Sequence, residues 1–201
     1  TRELFETKLA EFDLIIFDRF RRRGVLPRTY LDNVARYVEN GGALLKAVGP
    51  DYASPLSLHR TPLGRVLPAA PTGRIFEEPF RAAVTDVGQR HPVTAGLAAD
   101  GAPRWGRWFR QIDAAPASGA TVMPGVAGRP LLVLDRVQDG RVAHLLSDQL
   151  WLWARGFEGG GPQGELLRRT AHWLMREPEL EEENLRVGAE GDQLVVERRS
   201  L

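Results

Sequence analysis

One short segment of the chain gathers side chains of the kinds that bind ligands. Residues 146–155 read Leu-Ser-Asp-Gln-Leu-Trp-Leu-Trp-Ala-Arg and place Asp148, Trp151, Trp153 and Arg155 close together. A carboxylate, two indoles and a guanidinium can hold a ligand by ion pairing and stacking. The same segment also has a structural interpretation, in which the tryptophans pack over a sheet and Asp148 caps a turn. The structural role is favoured, and both interpretations stay open.

A nucleophile at the end of a buried strand is the next chemistry to look for. The run Lys-Ala-Val-Gly-Pro-Asp-Tyr at 46–52 follows an apolar stretch and holds neither Ser nor Cys, and no Gly-x-Ser-x-Gly occurs in the chain. Ser54 and Ser57 lie just beyond, among prolines, and we interpret them as ordinary loop serines. No catalytic residue is therefore assigned.

The four histidines do not form a metal motif. His59, His91, His144 and His172 are far apart in the sequence, and no pair has a compact ligand spacing. His144 lies within a predicted strand, where it is packed or exposed at an edge. The glycine-rich stretch 156–161 lacks the Gly-Lys-Ser/Thr ending of a phosphate loop. The sequence predicts no metal site and no cofactor.

Composition and charge exclude several classes of protein. The chain has 201 residues, enough for one domain with a core. Its 27 basic and 26 acidic side chains nearly cancel, which argues against a nucleic-acid partner. It has no cysteine, so disulfides, thiolate metal sites and thiol nucleophiles are excluded. The chain contains no run of ~18 apolar residues, so the sequence predicts no membrane span.

The first third of the chain predicts a strand, a helix and a second strand. Residues 12–17 are an apolar run of the kind found in strands that are buried on both faces. Apolar positions at helical spacing follow over 28–39, and Gly41-Gly42 ends that helix. A second apolar run covers 43–48. Because a full helix joins the two strands, we expect them to be parallel neighbours, with the helix packed on one face.

The rest of the chain predicts shorter elements. Prolines over 50–79 disfavour long elements there, apart from a short helical turn at 63–67. Strands are predicted over the ranges 80–87, 105–114, 120–123, 130–137 and 141–146. Asp139-Gly140 predicts a hairpin between the last two of these strands. An amphipathic helix over 164–175 and a terminal hairpin within 184–201 complete the prediction, which is an α/β domain with a mixed sheet.

The chain resembles a known superfamily at four stretches. These read Phe-Asp-Leu-Ile-Ile-Phe-Asp at 12–18, Gly-Gly-Ala-Leu-Leu at 41–45, His-Pro-Val-Thr-Ala-Gly-Leu at 91–97 and Gly-Arg-Val-Ala-His-Leu-Leu-Ser-Asp at 140–148, the last followed by the two tryptophans. They are similar to class I glutamine-amidotransferase-like domains, most of all to those in large bacterial membrane proteins that also carry a von Willebrand type A-like region. The resemblance implies a flavodoxin-like three-layer sandwich over residues 1–183, with a mostly parallel sheet and late antiparallel strands. It also implies that the domain is incomplete at its N-terminus.

The catalytic residues of the active amidotransferases have no counterparts here. The family's cysteine elbow falls near residues 47–49, which read Ala-Val-Gly, and its His-x-Glu falls near 147–149, which read Ser-Asp-Gln. A glutaminase without its thiolate has no acyl acceptor. The resemblance therefore implies a pseudoenzyme.

The function expected from the resemblance is binding or assembly. The chain is expected to be a non-catalytic module of a membrane-anchored bacterial protein, with the rest of that larger chain as its partner. The periplasmic side of the membrane is favoured, and the cytoplasmic side stays open. We also expect either a homodimer across the edge at strand 13–17 or cover of that edge by the helix 2–10. The alternative is a hydrolase of another class that uses carboxylates or histidines at the strand ends. The sequence names no ligand.

Overall fold

The computed structural model describes residues 2–20, 26–98, 104–190 and 193–199. Within them the α-helices are α1 (Arg2–Glu6), α2 (Arg28–Glu39), α3 (Asp86–Arg90), α4 (Trp151–Ala154) and α5 (Gln163–Leu174). The strands are β1 (Ile15–Asp18), β2 (Ala43–Ala47), β3 (Ala69–Phe76), β4 (Gln111–Pro116), β5 (Ala120–Pro124), β6 (Pro130–Val137), β7 (Gly140–Leu145), β8 (Asn184–Glu190) and β9 (Gln193–Arg199). Short 3-10 helices cover Leu9–Glu11, Pro50–Ala53, Leu58–Arg60, Pro62–Val66, Val126–Gly128, Phe157–Gly159 and Pro178–Leu180.

The central sheet has five strands in the order β1-β2-β7-β6-β5. Strands β1, β2 and β7 are parallel neighbours, whereas β6 is antiparallel to both β7 and β5. This confirms the predicted parallel pairing of the first two strands. Strands β3 and β4 form a separate antiparallel pair, and so do β8 and β9.

Two apolar layers cover the two faces of the sheet. Leu31, Val34 and Val38 of α2 pack with Leu44 and Val142 on one face. The other face carries α5 through Leu166, Trp173 and Leu174. The chain has the predicted flavodoxin-like three-layer α/β sandwich, because β2 and β7 bury alternate residues in opposite layers.

Glycine is required at two turns for different reasons. Gly41 has φ +108° and follows the last turn of α2, as expected of a residue that ends a helix. The hairpin between β6 and β7 is confirmed, but its left-handed turn residue is Gln138, with φ +52°. Gly140 is needed because a Cβ there would lie 1.9 Å from the carbonyl oxygen of Val38.

The predictions for the middle of the chain are partly wrong. Residues 80–87 do not form a strand: Phe80 makes a single bridge to Trp108, and α3 begins at Asp86. The predicted strand 105–114 is regular only as β4, from Gln111 onwards. The eight-residue strand β3 lies within the proline-rich stretch, where no long element was predicted. A strand is possible there because β3 pairs with β4 alone in its sheet, and the irregular register of that pair accommodates Pro71.

Helix α1 packs against α2 rather than along the free edge of the sheet. The Phe5 ring stacks on Tyr30 at 5.4 Å between centroids, and Asn33 Nδ2 donates to the Phe5 carbonyl oxygen at 2.9 Å. The edge strand β1 keeps Ile16 56% exposed. The predicted homodimer across this edge stays a prediction.

Candidate functional site

Asp148 lies just past the C-terminal end of β7, where it was predicted. The chain leaves the strand through Ser147, whose Oγ donates to the Arg110 carbonyl oxygen at 2.6 Å and accepts from the Gln149 amide at 3.2 Å. This turn carries Asp148 to the edge at which the parallel strands end. Ligands of open α/β sheets bind at this edge.

The Asp148 carboxylate is paired within the chain. Arg110 Nε donates to Oδ1 at 3.1 Å, and Nη2 donates to Oδ2 at 3.3 Å. The Asp148 side chain is 7% exposed and that of Arg110 is 31% exposed. The predicted hydrogen-bond partner of Asp148 is therefore confirmed, and the pair ties the end of β7 to the segment that precedes β4.

Trp153 is a core residue. It is 3% exposed, and its Nε1 donates to the Gly106 carbonyl oxygen at 2.8 Å. Its ring lies 4.7 Å from that of Trp108 and 5.1 Å from that of Trp105, between centroids. At least one of the two indoles was predicted to be mostly buried, and this is confirmed, although the segment is helix α4 and not strand-like. Trp153 thus takes the structural role.

Trp151 and Arg155 face solvent instead. Trp151 is 55% exposed and Arg155 is exposed as well. The two residues are four positions apart at α4, a spacing that places their side chains on one helix face. Phe157, 38% exposed, follows them and packs edge-on against Phe109 at 5.7 Å. We call Trp151, Arg155 and Phe157 the aromatic patch.

The glycine-rich loop that follows is packed tightly against Trp153. A Cβ at Gly161 would lie 2.4 Å from the Trp153 ring, and Gly160 accepts a hydrogen bond from the Gly106 amide at 2.7 Å. These glycines allow close packing, so the loop supports the tryptophan cluster.

The other groups considered for catalysis are engaged in local structure. Ser54 Oγ donates to the Asp51 carbonyl oxygen at 2.7 Å, and Ser57 caps the 3-10 helix that follows it. At the end of β2, where the amidotransferase nucleophile would stand, Val48 is buried and carries no reactive atom.

The strand ends bring some of the predicted residues together. A Cβ at Gly49 would lie 3.6 Å from both Arg19 Cγ and Asp148 Oδ2. Arg19 in turn lies 3.9 Å from the carboxylate of Asp18, measured from Nε to Oδ1. Asp18, Arg19 and Asp148 therefore share this edge, and the buried carboxylate among them is the one held by Arg110.

Two buried basic side chains lie beneath this edge, and the sequence analysis did not identify them as a pair. Lys46 of β2 and His144 of β7 are register partners and are 1% and 0% exposed. Burial lowers the pKa of Lys46 to about 8, against the opposing effect of Asp18. Burial also lowers the pKa of His144 to about 3, with further contributions from Lys46 and His59. The sequence signal for this pair was a lysine within an apolar strand.

Across the described ranges, Asp148 lies neither in a group of metal ligands nor in a large cleft. Among the described residues no three His, Asp or Glu side chains are grouped as metal ligands. A cleft of about 750 Å³ lies at the opposite end of the sheet, between Phe5, Tyr37, Gly41 and Arg176.

Solved structures share the fold at low sequence identity. Neither a family model nor a curated protein matches the sequence. Cytoplasmic protein STM1381 from Salmonella typhimurium LT2 aligns with a TM-score of 0.66 at 20% identity, over 82% of this chain and 73% of its own. Cytoplasmic protein STM3548 from Salmonella typhimurium aligns with a TM-score of 0.64 at 20% identity, over 83% and 73%.

A much larger enzyme contains a similar unit. The β-galactosidase from Rahnella sp. R3 aligns with a TM-score of 0.54 at 14% identity, over 90% of this chain but only 26% of the enzyme. Identities this low establish the fold and no activity.

The predicted membrane-anchored, periplasmic setting is contradicted. The two Salmonella proteins that share the fold are both named cytoplasmic proteins. Across the residues that the structure describes, no helix has both the length and the apolar character that crossing a membrane requires.

Proposed function

We propose that this chain is a non-catalytic binding module of amidotransferase-like descent, and that the aromatic patch is its binding surface. The observation that carries the proposal is the exposed indole of Trp151, three residues after Asp148 and just past the C-terminal end of β7, where open α/β sheets bind ligands. Tryptophan and arginine are the residues most enriched where a few side chains dominate binding.

The patch has a rigid support. Trp153, two residues after Trp151, is fixed by its hydrogen bond to Gly106 and by the rings of Trp108 and Trp105. Phe157 rests against Phe109. A patch that is already ordered loses little conformational entropy when a partner binds.

The chemistry of the patch favours a particular kind of partner. Arg107 lies nearby, but its guanidinium is engaged by Glu158, with Nε 2.9 Å from Oε1. Arg155 is therefore the cation that the patch offers. An indole, a phenyl ring and this guanidinium complement a peptide segment that carries an apolar side chain next to a carboxylate.

The alternative, a hydrolase using carboxylates or histidines at the strand ends, has less support. A general base must reach the proton that it removes. The Asp148 carboxylate is held by Arg110, and the His144 imidazole is fully buried in the sheet layer. Neither group is presented to a substrate at this edge.

Peptide binding tests the proposal. The protein is applied to an array of peptides that hold Trp, Phe or Leu beside Asp or Glu, and to matched peptides with Asn or Gln instead. We expect binding to the acidic peptides, weakened at least tenfold by Trp151→Ala and by Arg155→Ala. Phe12→Ala is the control, because Phe12 is 43% exposed at the other end of the molecule. Equal binding by the Trp151→Ala protein, or no preference for acidic peptides, would refute the proposal.

A further inference from the structure

The buried lysine in β2 has an arrangement that the proposed function does not use. Lys46 Nζ donates to the Ala47 carbonyl oxygen at 2.9 Å and lies 3.4 Å from the Phe17 carbonyl oxygen. A neutral amine has two N–H groups, which match these two acceptors, and one lone pair that is left over. Its lowered pKa, about 8, makes this neutral form accessible near physiological pH.

The imidazole beside it lacks hydrogen-bond partners. Within the described part of the chain, neither ring nitrogen of His144 has a partner, and neither does the buried Nδ1 of His59. Tyr52 packs edge-on against His144 at 5.0 Å, but its hydroxyl donates to the Ala69 carbonyl oxygen at 2.7 Å. Buried polar groups normally have partners, so one N–H donor and one lone pair of the neutral His144 imidazole are available for further hydrogen bonds.

We propose that Lys46 is a site of reversible carbamate formation with carbon dioxide. The amine lone pair attacks the carbon of CO₂, a C–N bond forms, and one C=O electron pair moves onto oxygen. The excess proton on nitrogen passes to an imidazole nitrogen of His144, where the negative charge of the adjacent carbamate offsets the burial that lowers the pKa of the unmodified imidazole. The product is a carbamate anion beside an imidazolium, so the net charge of the buried pair does not change.

The carbamate provides hydrogen-bond partners for the His144 imidazole, which has none among the described residues of the unmodified site. The carbamate oxygens supply acceptors for the imidazole N–H groups of His144. The remaining carbamate N–H still donates to the Ala47 carbonyl oxygen. Carbon dioxide is a small and uncharged electrophile, as an amine that is only 1% exposed requires. This inference does not depend on the proposed binding role of the aromatic patch.

The composition of the chain makes the test sharp. Lys8 and Lys46 are its only lysines. Lys8 is a matched control, because its side chain is 46% exposed and ion-paired with Glu3 at 2.8 Å. The Lys8→Arg protein is equilibrated with ¹³C-bicarbonate at pH 8 and observed in its folded state by carbon-13 NMR, which needs no reagent to enter the closed site.

We expect a carbamate carbon signal from wild-type protein and from Lys8→Arg, and this signal should disappear in urea. His144→Leu should lower its intensity at least tenfold, and Lys46→Met should abolish it. The absence of the signal from the folded Lys8→Arg protein overturns the proposal whether or not the other variants fold, as does a signal of equal intensity from Lys46→Met.

Discussion

Replacement of Asp148 by Ala separates the structural role of this residue from a binding role. The change removes both hydrogen bonds from Arg110 and releases the end of β7 from the segment that precedes β4. We expect the folded protein to lose stability and to bind the acidic peptides unchanged. The reason is that the carboxylate is buried and faces Arg110 rather than the aromatic patch.

The magnitude follows from the exposure of the two partners. A hydrogen bond to a charged group contributes about 1.5–3 kcal/mol when it is buried. The Arg110 side chain is 31% exposed, so water replaces part of what Asp148 provided. We therefore expect a loss of about 1–2 kcal/mol in the free energy of unfolding. For a chain of this size, that lowers the melting temperature by about 2–8 °C.

Thermal and urea unfolding of the Asp148→Ala protein measure this loss. Glu78→Ala is the control, because it removes the same charge from an exposed position and should change stability by less than about 0.5 kcal/mol. An Asp148→Ala protein that melts like wild type but no longer binds the peptides would refute the structural role.

Three further predictions concern other parts of the molecule. Trp153→Ala should lower the free energy of unfolding by about 3–5 kcal/mol, whereas Trp151→Ala should lower it by less than about 0.5 kcal/mol. Urea unfolding of the two variants measures both losses, and similar losses would contradict the buried and exposed roles assigned to these residues. The hydrogen bond from His91 and the charge of Arg136 lower the pKa of Glu182 to about 2. A carboxylate with a depressed folded pKa contributes stability above its unfolded pKa, about 4.3, and loses it as the pH falls to 2. Glu182→Gln should therefore destabilise the protein by about 1–2 kcal/mol at pH 6 and not at pH 2, and an equal loss at both would exclude this linkage. Finally, sedimentation velocity of the wild-type protein should show a concentration-dependent dimer. Ile16→Glu should abolish this dimer, since Ile16 is exposed on the edge strand β1. A wild-type protein that stays monomeric would exclude it.

Local patterns were sufficient for the first two strands. The apolar runs at 12–17 and 43–48 predicted β1 and β2. Strand β2 lies inside the sheet and shows no polar alternation, whereas β1 is an edge strand whose Ile16 is exposed. The sequence also located α5 to within one residue at each end, through its apolar stripe. The pairing of β3 with β4 was missed, because it depends on contacts between residues far apart in the chain.

The candidate site was only partly predictable for a similar reason. The position of Asp148 follows from the end of β7, but its partner Arg110 lies 38 residues away. Trp151 and Trp153 are of one type and two positions apart, yet a short helix turns one outward and one inward. The buried pair Lys46 and His144 was missed because their juxtaposition depends on the register between β2 and β7.

Release of ammonia from glutamine tests the central claim most directly. The chain has no cysteine, and Val48, which follows the end of β2 where the amidotransferase nucleophile would stand, carries no reactive atom. The purified protein at high concentration, with saturating glutamine, should therefore release ammonia at the rate of the buffer alone. A steady turnover that survives repurification and is abolished by a single substitution at Asp148 or His144 would contradict a non-catalytic binding module.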